Sequence, residues 1–448
     1  MRAITRQHHA ALSVLIGLGL LMAPVWAATP VPAPVTKPAP TTAVNPATAV
    51  SLDECIRIAL QNQLDVLVGQ QSVVSAKAKS TQASSSYYPQ VSVQSNPLLI
   101  TGSSNNVFRT SSTQGTTLSV TQNFYDGGLR EATAAAARYG ITQNQAALTR
   151  TFQTVAYTVT QNYFATLLAR RLAEVADSQV HYAAGQLDLV KGRVDAGAAA
   201  QSDELPIQAQ LASAQVSQLS AHNAIRTALI ALQSSMGSAI RPGFDIQEVT
   251  IPPLDKLQPL PVYLDLANKN RPDIRETHAA VQSAGESVTA ARINMLPRPV
   301  IGGEYDNLVS GGASPGWSIT GGIAFSLFDG GANKAVYTQA RAEQTIARDQ
   351  EAQLAKTIEA DVQTAYLNLT NATQLIAASA VGLKAAQTNY DVQTARYREG
   401  LATPLDLLNA EVALVTAQSS DVQARYGNYT AQAQLAYAIG KQGGLNDK

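Results

Sequence analysis

The chain holds one cysteine, Cys55, in 448 residues, so an internal disulfide is excluded and Cys55 reads as a small buried side chain rather than a reactive thiol. Histidine is scarce: beyond the first 28 positions only His181, His222 and His278 remain, scattered on stretches that read as helices and without metal-ligand spacing. Lys plus Arg equals Asp plus Glu, 32 each, so no bulk charge points to nucleic acid. No nucleophile motif, phosphate loop or pair of catalytic carboxylates is present, and neither an enzyme nor a cofactor or metal is indicated. Past the N-terminus no apolar run is long enough to cross a bilayer as a helix. Membrane strands, which show themselves only by alternation, are not excluded.

The N-terminus carries instead the marks of an export signal. Arg2 and Arg6 precede an apolar run from Ala10 to Met22, and Val25-Trp26-Ala27 has the small-residue pattern of a cleavage site, so 1–28 is read as a signal peptide. No cysteine stands at that site to take a lipid. Residues 29–50, rich in Pro, Ala and Thr, read as a linker with no core.

The remainder of the chain is a twofold repeat. Asp126-Gly127-Gly128 recurs as Asp329-Gly330-Gly331, an offset of 203 that also relates Tyr163 to Tyr366, Arg193 to Arg396, Gly197 to Gly400, Asp203 to Asp406 and Gly237 to Gly440. Upstream the offset is 208, relating Asn62 to Asn270, Asp65 to Asp273 and Pro89 to Pro297. The expected units are 51–240, with a β-hairpin at 90–125, and 260–440, with a hairpin at 299–328. A connection at 241–259 joins them and a tail at 441–448 ends the chain.

Within the first unit, 51–88 reads as one helix with Ser51 and Glu54 at capping-box spacing. Residues 90–96 and 116–125 change to period two, with Leu118, Val120 and Phe124 alternating against Thr and Ser, and 102–115 between them reads as a surface loop. The glycines of Asp126-Gly127-Gly128 permit a strand-to-helix corner. Residues 129–195 then run without proline, with Leu148, Phe152, Val155, Val159 and Tyr163 on one helical stripe; such a helix would be ~100 Å long. A turn at Gly197 leads to a returning helix over 202–237. The second unit repeats this plan: helix 260–296 with a break near Pro272, strands 299–308 and 317–328, long helix 332–398, turn 399–403 and return 404–440. In its second strand Trp317, Ile319, Ile323, Phe325 and Leu327 face one way and Ser318, Thr320, Ala324 and Ser326 the other. Gly302-Gly303 and Gly321-Gly322 fit bends in strands.

Strands with an apolar face leave unpaired edge groups that hydrocarbon cannot satisfy, so other copies of the chain must close them. Two copies give eight strands, whose interior side chains fill; three give twelve, wide enough for a lumen. A homotrimer is therefore expected, with Trp317 at the lipid–water interface. A soluble sheet packed on helices is the alternative, but the sequence offers no apolar helix of matching size.

These residues resemble the TolC-type outer-membrane efflux proteins. The resemblance spans about 51–440 and rests on the repeat, on Phe124-Tyr125-Asp126-Gly127-Gly128 and Phe328-Asp329-Gly330-Gly331, and on Tyr397-x-x-Gly400-Leu401-Ala402-Thr403-x-x-Asp406-Leu407-Leu408. It implies a mainly α chain with a membrane β-barrel. The trimer would form a twelve-stranded barrel in the outer membrane continued by a twelve-helix periplasmic tunnel, docked on a periplasmic adaptor and an inner-membrane pump driven by protons or ATP. The resemblance also assigns the tunnel gate to Asp406, Asn409, Tyr397, Asp203 and Ser202. Asp406 matches the first acid of a ring whose second acid falls on the neutral Asn409, and Tyr397 would hydrogen-bond Asp203. The tip arginine of the family falls on Ala402. Three Asp406 carboxylates around one axis should raise one another's pKa and attract cations, less strongly than two rings would, giving a tip that opens more easily. Equally, Asp203 and Asp406 read as N-terminal helix caps. Gly197, Ala198, Gly400, Leu401, Ala402 and Thr403 would form the adaptor contact or, more simply, ordinary interhelix turns. Lys191, Arg193, Arg396 and Arg398 would pair with adaptor acids or complement helix dipoles.

The function expected from this is a passive duct for small molecules in a tripartite efflux system. A duct for secreted polypeptides and a soluble periplasmic coiled-coil scaffold are the alternatives.

Overall fold

The computed structural model describes residues 49–96, 100–101, 111–112, 115–239, 243–249, 257–308 and 316–441. The expected signal peptide, nearly all of the 29–50 linker, the tail past Lys441 and parts of both hairpin loops and of the 241–259 connection lie outside the described residues.

Helix α1 (Leu52–Asn62) opens where the Ser51 hydroxyl accepts from the Glu54 N–H at 3.3 Å. The single helix expected over 51–88 is in fact two. The backbone turns extended at Gln63 (φ −66°, ψ 129°), whose side-chain oxygen caps the Leu64 N–H at 2.8 Å, and α2 (Leu64–Ser84) comes next, with a 3-10 turn at Ser85–Tyr87. In the second half the break anticipated near Pro272 falls at Arg271, between α5 (Leu260–Asn270) and α6 (Pro272–Met295), and Pro272 takes the first helical position.

Both breaks receive the end of a returning helix. Gly237 (φ 62°) closes α4 (Glu204–Ser235) and Gly440 (φ 76°) closes α8 (Pro404–Ala438). A Cβ on Gly237 would stand 2.8 Å from the Asn62 carbonyl oxygen, and one on Gly440 would stand 2.9 Å from the Arg271 nitrogen. Glycine is required at both for backbone angle and for space. The second junction is also clamped by charge. Buried Arg271 pairs with Asp273 at 2.6 Å and Asp361 at 3.0 Å, while Gln153 donates to the Gly440 carbonyl at 2.7 Å.

Two helices of 67 residues, α3 (Leu129–Asp195) and α7 (Ala332–Arg398), dominate the chain. At 1.5 Å per residue each is ~100 Å long. Both start after Asp-Gly-Gly. Gly128 and Gly331 take left-handed angles (φ 92° and 89°), and the aspartate caps the first turn, with Asp126 accepting from Arg130 N–H at 3.1 Å and Asp329 from Asn333 N–H at 2.9 Å. Helix α4 returns along α3 and α8 along α7; α2 and α6 lie on α3, α6 also meets α7, and α3 meets α8. The stripe read from sequence is interior at Val155, Val159 and Tyr163. In the second half Tyr263, Ile358, Val362, Leu369, Leu435 and Ile439 form one core cluster.

The strands are β1 (Gln90–Asn96), β4 (Gly115–Tyr125), β5 (Arg298–Leu308) and β6 (Gly316–Ala324), antiparallel in the order β1-β4-β5-β6. The two hairpins thus join side by side through β4 and β5. A separate two-residue pair, β2 (Ile100–Thr101) with β3 (Ser111–Ser112), takes up residues 111–112, which sequence assigned to loop, and Gly115 already belongs to β4.

Candidate functional site

The first candidate surface is the sheet. Register places Val91 opposite Val120, Val93 opposite Leu118, Val120 opposite Tyr305, and Tyr305 opposite Trp317. Directly opposed residues share a face, and alternation adds Ile301, Ile319 and Ile323 to it. All of these side chains are apolar or aromatic. The other face carries Gln90, Ser92, Ser119, Thr121, Glu304, Asp306, Ser318 and Thr320, and Ser119 donates to Asp306 across it. The register shifts between Asn123 and Tyr125, which leaves Phe124 as an extra residue. Its ring lies over Gly303, where a Cβ would come within 3.0 Å of it, so Phe124 joins the apolar face and covers a glycine.

Among the described residues no helix covers that face. Trp317 and Ile323 are each 76% exposed. Leu118, Val120, Phe124, Trp317, Ile319 and Ile323 share that face, the first two half-buried and the other four exposed. Phe325 and Leu327 do not belong to the strand, because pairing ends at Arg298–Ala324. The partner strand is preceded by Pro297, which has no N–H to extend the ladder. Both residues are exposed on the irregular run to the Asp329 corner. Among the described residues no helix is long and apolar enough to cross a membrane. The four strands of the sheet are 7 to 11 residues long, close to the span of a tilted membrane strand.

The second candidate surface is the far end of the helical hairpins. Each long helix stops in a glycine turn: Gly197 (φ 65°) with Ala198 N–H on the Arg193 carbonyl at 2.7 Å, and Gly400 (φ 78°) with Leu401 N–H on the Arg396 carbonyl at 2.8 Å. Arg193 and Arg396 reach back to the Ala198 and Leu401 carbonyls at 3.4 Å and 3.3 Å, the helix-end role foreseen for them. Leu401 and Leu405 are exposed at the turn. Behind it Leu187, Val190, Ile207, Tyr397 and Leu407 form a buried cluster joining the two hairpins.

Tyr397 sits in that cluster, but the anticipated Tyr397–Asp203 hydrogen bond is absent; the buried Tyr397 hydroxyl has no partner. Arg193 engages the tyrosine instead. Its guanidinium lies 4.8 Å from the ring centroid and donates to the Tyr397 carbonyl at 2.6 Å. Asp203 is drawn into a 3-10 turn with Gln201 and Ser202 and makes no capping bond of its own. Asp406, by contrast, completes a capping box with Thr403: its carboxylate accepts the Thr403 N–H at 2.8 Å and hydroxyl at 2.7 Å, and its own N–H meets the Thr403 hydroxyl at 3.2 Å. The difference is local, since Ala200 stands at the repeat position of Thr403 and has no hydroxyl to offer. Hydrogen bonds from the Thr403 backbone and side chain hold the Asp406 carboxyl below its ordinary pKa within one chain, opposite to the rise expected of a ring. Asp406 and Asn409 are exposed one turn apart, while Leu407 and Ala410 beside them are buried.

Sequence reasoning missed one buried group nearby. Glu411 is 0% exposed, on α8 between Leu407 and Leu414. Its spacing of four and three from those leucines would have shown a carboxylate in an apolar stripe. Among the described residues no cluster of His, Cys, Asp and Glu is arranged to hold a metal.

An amphipathic sheet set on ~100 Å helical hairpins fits one class: subunits of membrane channels. Residues 55–238 and 263–441 match the outer membrane efflux protein family, and the chain belongs to it. It is similar to the pyoverdine export outer membrane protein OpmQ of Pseudomonas putida, with 27% identity over 87% of this chain and 85% of that protein. It is also similar to the outer membrane efflux protein BepC of Brucella suis, at 24% identity over 75% and 73%. Its fold matches the crystal structure of the outer membrane protein VceC of Vibrio cholerae, with a TM-score of 0.76 at 18% identity over 87% of this chain and 96% of that one.

Proposed function

We propose that three copies of this chain form an outer-membrane duct that carries small molecules outward from a periplasmic pump assembly. The observation that carries this reading is the sheet: one face mainly apolar, with Gln122 its polar member, and, among the described residues, no helix over it and no neighbour for the edge strands β1 and β6. In lipid those edges cost several kcal/mol for each unpaired group. The strand order closes them. β1 and β5 run outward and β4 and β6 return, so β6 of one copy meets β1 of the next antiparallel, the pairing used throughout the sheet. Three copies give a twelve-stranded barrel with the Ser, Thr, Glu304 and Asp306 face turned to a wet lumen, and the hairpins beneath supply twelve rods of matched length.

The far end of those rods serves as the gate, with Asp406 and Asn409 facing the axis and Tyr397, Asp203 and Ser202 behind them. Gly197, Ala198, Gly400, Leu401, Ala402 and Thr403 form the surface for a periplasmic adaptor. The similarity to OpmQ, a pyoverdine exporter, supports a small-molecule cargo over a polypeptide. The test is the mass of the detergent-extracted protein, before and after heating, and its conductance in planar bilayers. A heat-sensitive trimer with steady conductance is expected. A monomer stable in buffer without detergent, its hairpins folded onto its own helices, would end the proposal.

A further inference from the structure

A carboxyl group lies where the two hairpins of one subunit meet, one turn above the apolar cluster at the tip. Both Glu411 oxygens are buried and without a hydrogen-bond partner, as are both polar atoms of Gln186 on α3. Gln210 of α4 and Gln186 face the Glu411 carboxyl without completing a hydrogen bond to it, and the half-buried Tyr390 phenol of α7 is the titratable group beside it. No cation from α3, α4, α7 or α8 is among the groups that act on it. Four helices thus converge on an acid with polar but uncharged company.

We propose that Glu411 is a proton-binding site that sets how tightly the two hairpins hold together at their far end. Protonated, it is a neutral donor and acceptor among two amides and a phenol, and the seam stays closed. Ionised, it is a bare charge in a dry interface, relieved only when the helices part and water enters.

Burial pushes the Glu411 carboxyl up from an ordinary 4.5 to about 7. The closed seam binds the proton more tightly than the open one, so by linkage closure is favoured fully below the ordinary carboxyl pKa, and that preference is lost as pH rises through about 7. A gap of this size can move the closed-to-open ratio by roughly 300-fold between the acid and alkaline limits. The window lies across the neutral range, where Asp406, whose pKa is lowered by Thr403, stays ionised throughout. The two acids at the tip therefore respond to different pH.

The closing experiment is hydrogen exchange on the intact detergent-solubilised trimer between pH 5 and pH 8.5, corrected for intrinsic rate, reading peptides over 183–211 and 390–414. Wild type should lose protection there by tenfold or more as pH rises, with a midpoint between 6 and 7.5. Glu411→Gln should be flat and as protected as wild type at low pH. Infrared difference spectra of wild-type trimers supply a second reading that needs no variant: a protonated carboxylic acid carbonyl band in a dry site should vanish with the same midpoint. Equal pH dependence in wild type and Glu411→Gln, no dependence in wild type, or a carbonyl band gone by pH 5.5 would each overturn the proposal. This readout does not require conductance, so its failure leaves the duct standing, and absence of a trimer would count against the duct alone.

Discussion

Gly197 and Gly237 offer one methyl group placed twice in the same backbone conformation. Each comes just after a helix, with φ of 65° and 62°. Alanine in the left-handed region costs about 1 kcal/mol at either site. There the likeness stops. A Cβ at Gly197 meets nothing within 4 Å, whereas one at Gly237 stands 2.8 Å from the Asn62 oxygen and 2.9 Å from the Gln63 Cα. These neighbours are backbone at a helix break, so no side chain can rotate away, and forced overpacking adds about 1–3 kcal/mol. Gly197→Ala should therefore cost ~1 kcal/mol and Gly237→Ala ~2–4 kcal/mol. Hydrogen exchange of the α1–α2 junction and of the end of α4 in solubilised trimers would read the difference, at about tenfold in opening equilibrium per 1.4 kcal/mol. Equal effects at the two sites, or a larger one at Gly197, would refute the claim that the breaks exist to seat the returning helices.

Other expectations concern the tip. Asp406→Asn should abolish block of single channels by divalent cations, because it removes the exposed acid assigned to the axis; block of undiminished affinity would show that the cation sits elsewhere. Arg193→Ala should loosen the Tyr397 turn by about 1–2 kcal/mol through loss of the ring contact and one hydrogen bond, seen as faster amide exchange over 396–402, while Arg193→Lys should recover only part of it. Ala200→Thr should rebuild on Asp203 the capping box that Thr403 makes with Asp406 and add about 1 kcal/mol of protection over 201–207; no gain would mean that the 3-10 turn is held by something other than the missing hydroxyl.

The long rods were legible from sequence because punctuation is unambiguous at both ends. Asp-Gly-Gly opens each and Gly197 or Gly400 closes it, with no proline between. The break at Arg271 was legible for the same reason, since Pro272 marks it. The break at Gln63 was not, because nothing local stops a helix there; its cause lies in the distant Gly237. Alternation ran on correctly through Ile323 but could not show that Phe325 and Leu327 lie past the last pair, since that limit is set by Pro297 on the partner strand. At the tip, residue types were readable and their pairings were not. Tyr397 and Asp203 have suitable chemistry, yet Arg193 takes the tyrosine because α3 and α7 end side by side.

The tip also shows where a near-symmetric chain becomes asymmetric. At the common offset Val194 stands for Tyr397, Ala200 for Thr403 and Gln208 for Glu411. Each change removes from the first hairpin a polar function that the second retains: a ring for a cation to rest on, a cap for the returning helix, and an acid in the seam. Gln208 is exposed where Glu411 is buried, so the faces that α4 and α8 turn inward differ as well. What the first hairpin supplies is complementary: the Leu187, Val190 and Ile207 wall, the Arg193 guanidinium, and the Gln186 and Gln210 amides. The two turns therefore meet through the apolar cluster, through Arg193–Tyr397 and beside Glu411. The last of these contacts holds a carboxyl that burial pushes up to about 7, and it is there that the coupling of the hairpins can be adjusted without touching the exposed acids.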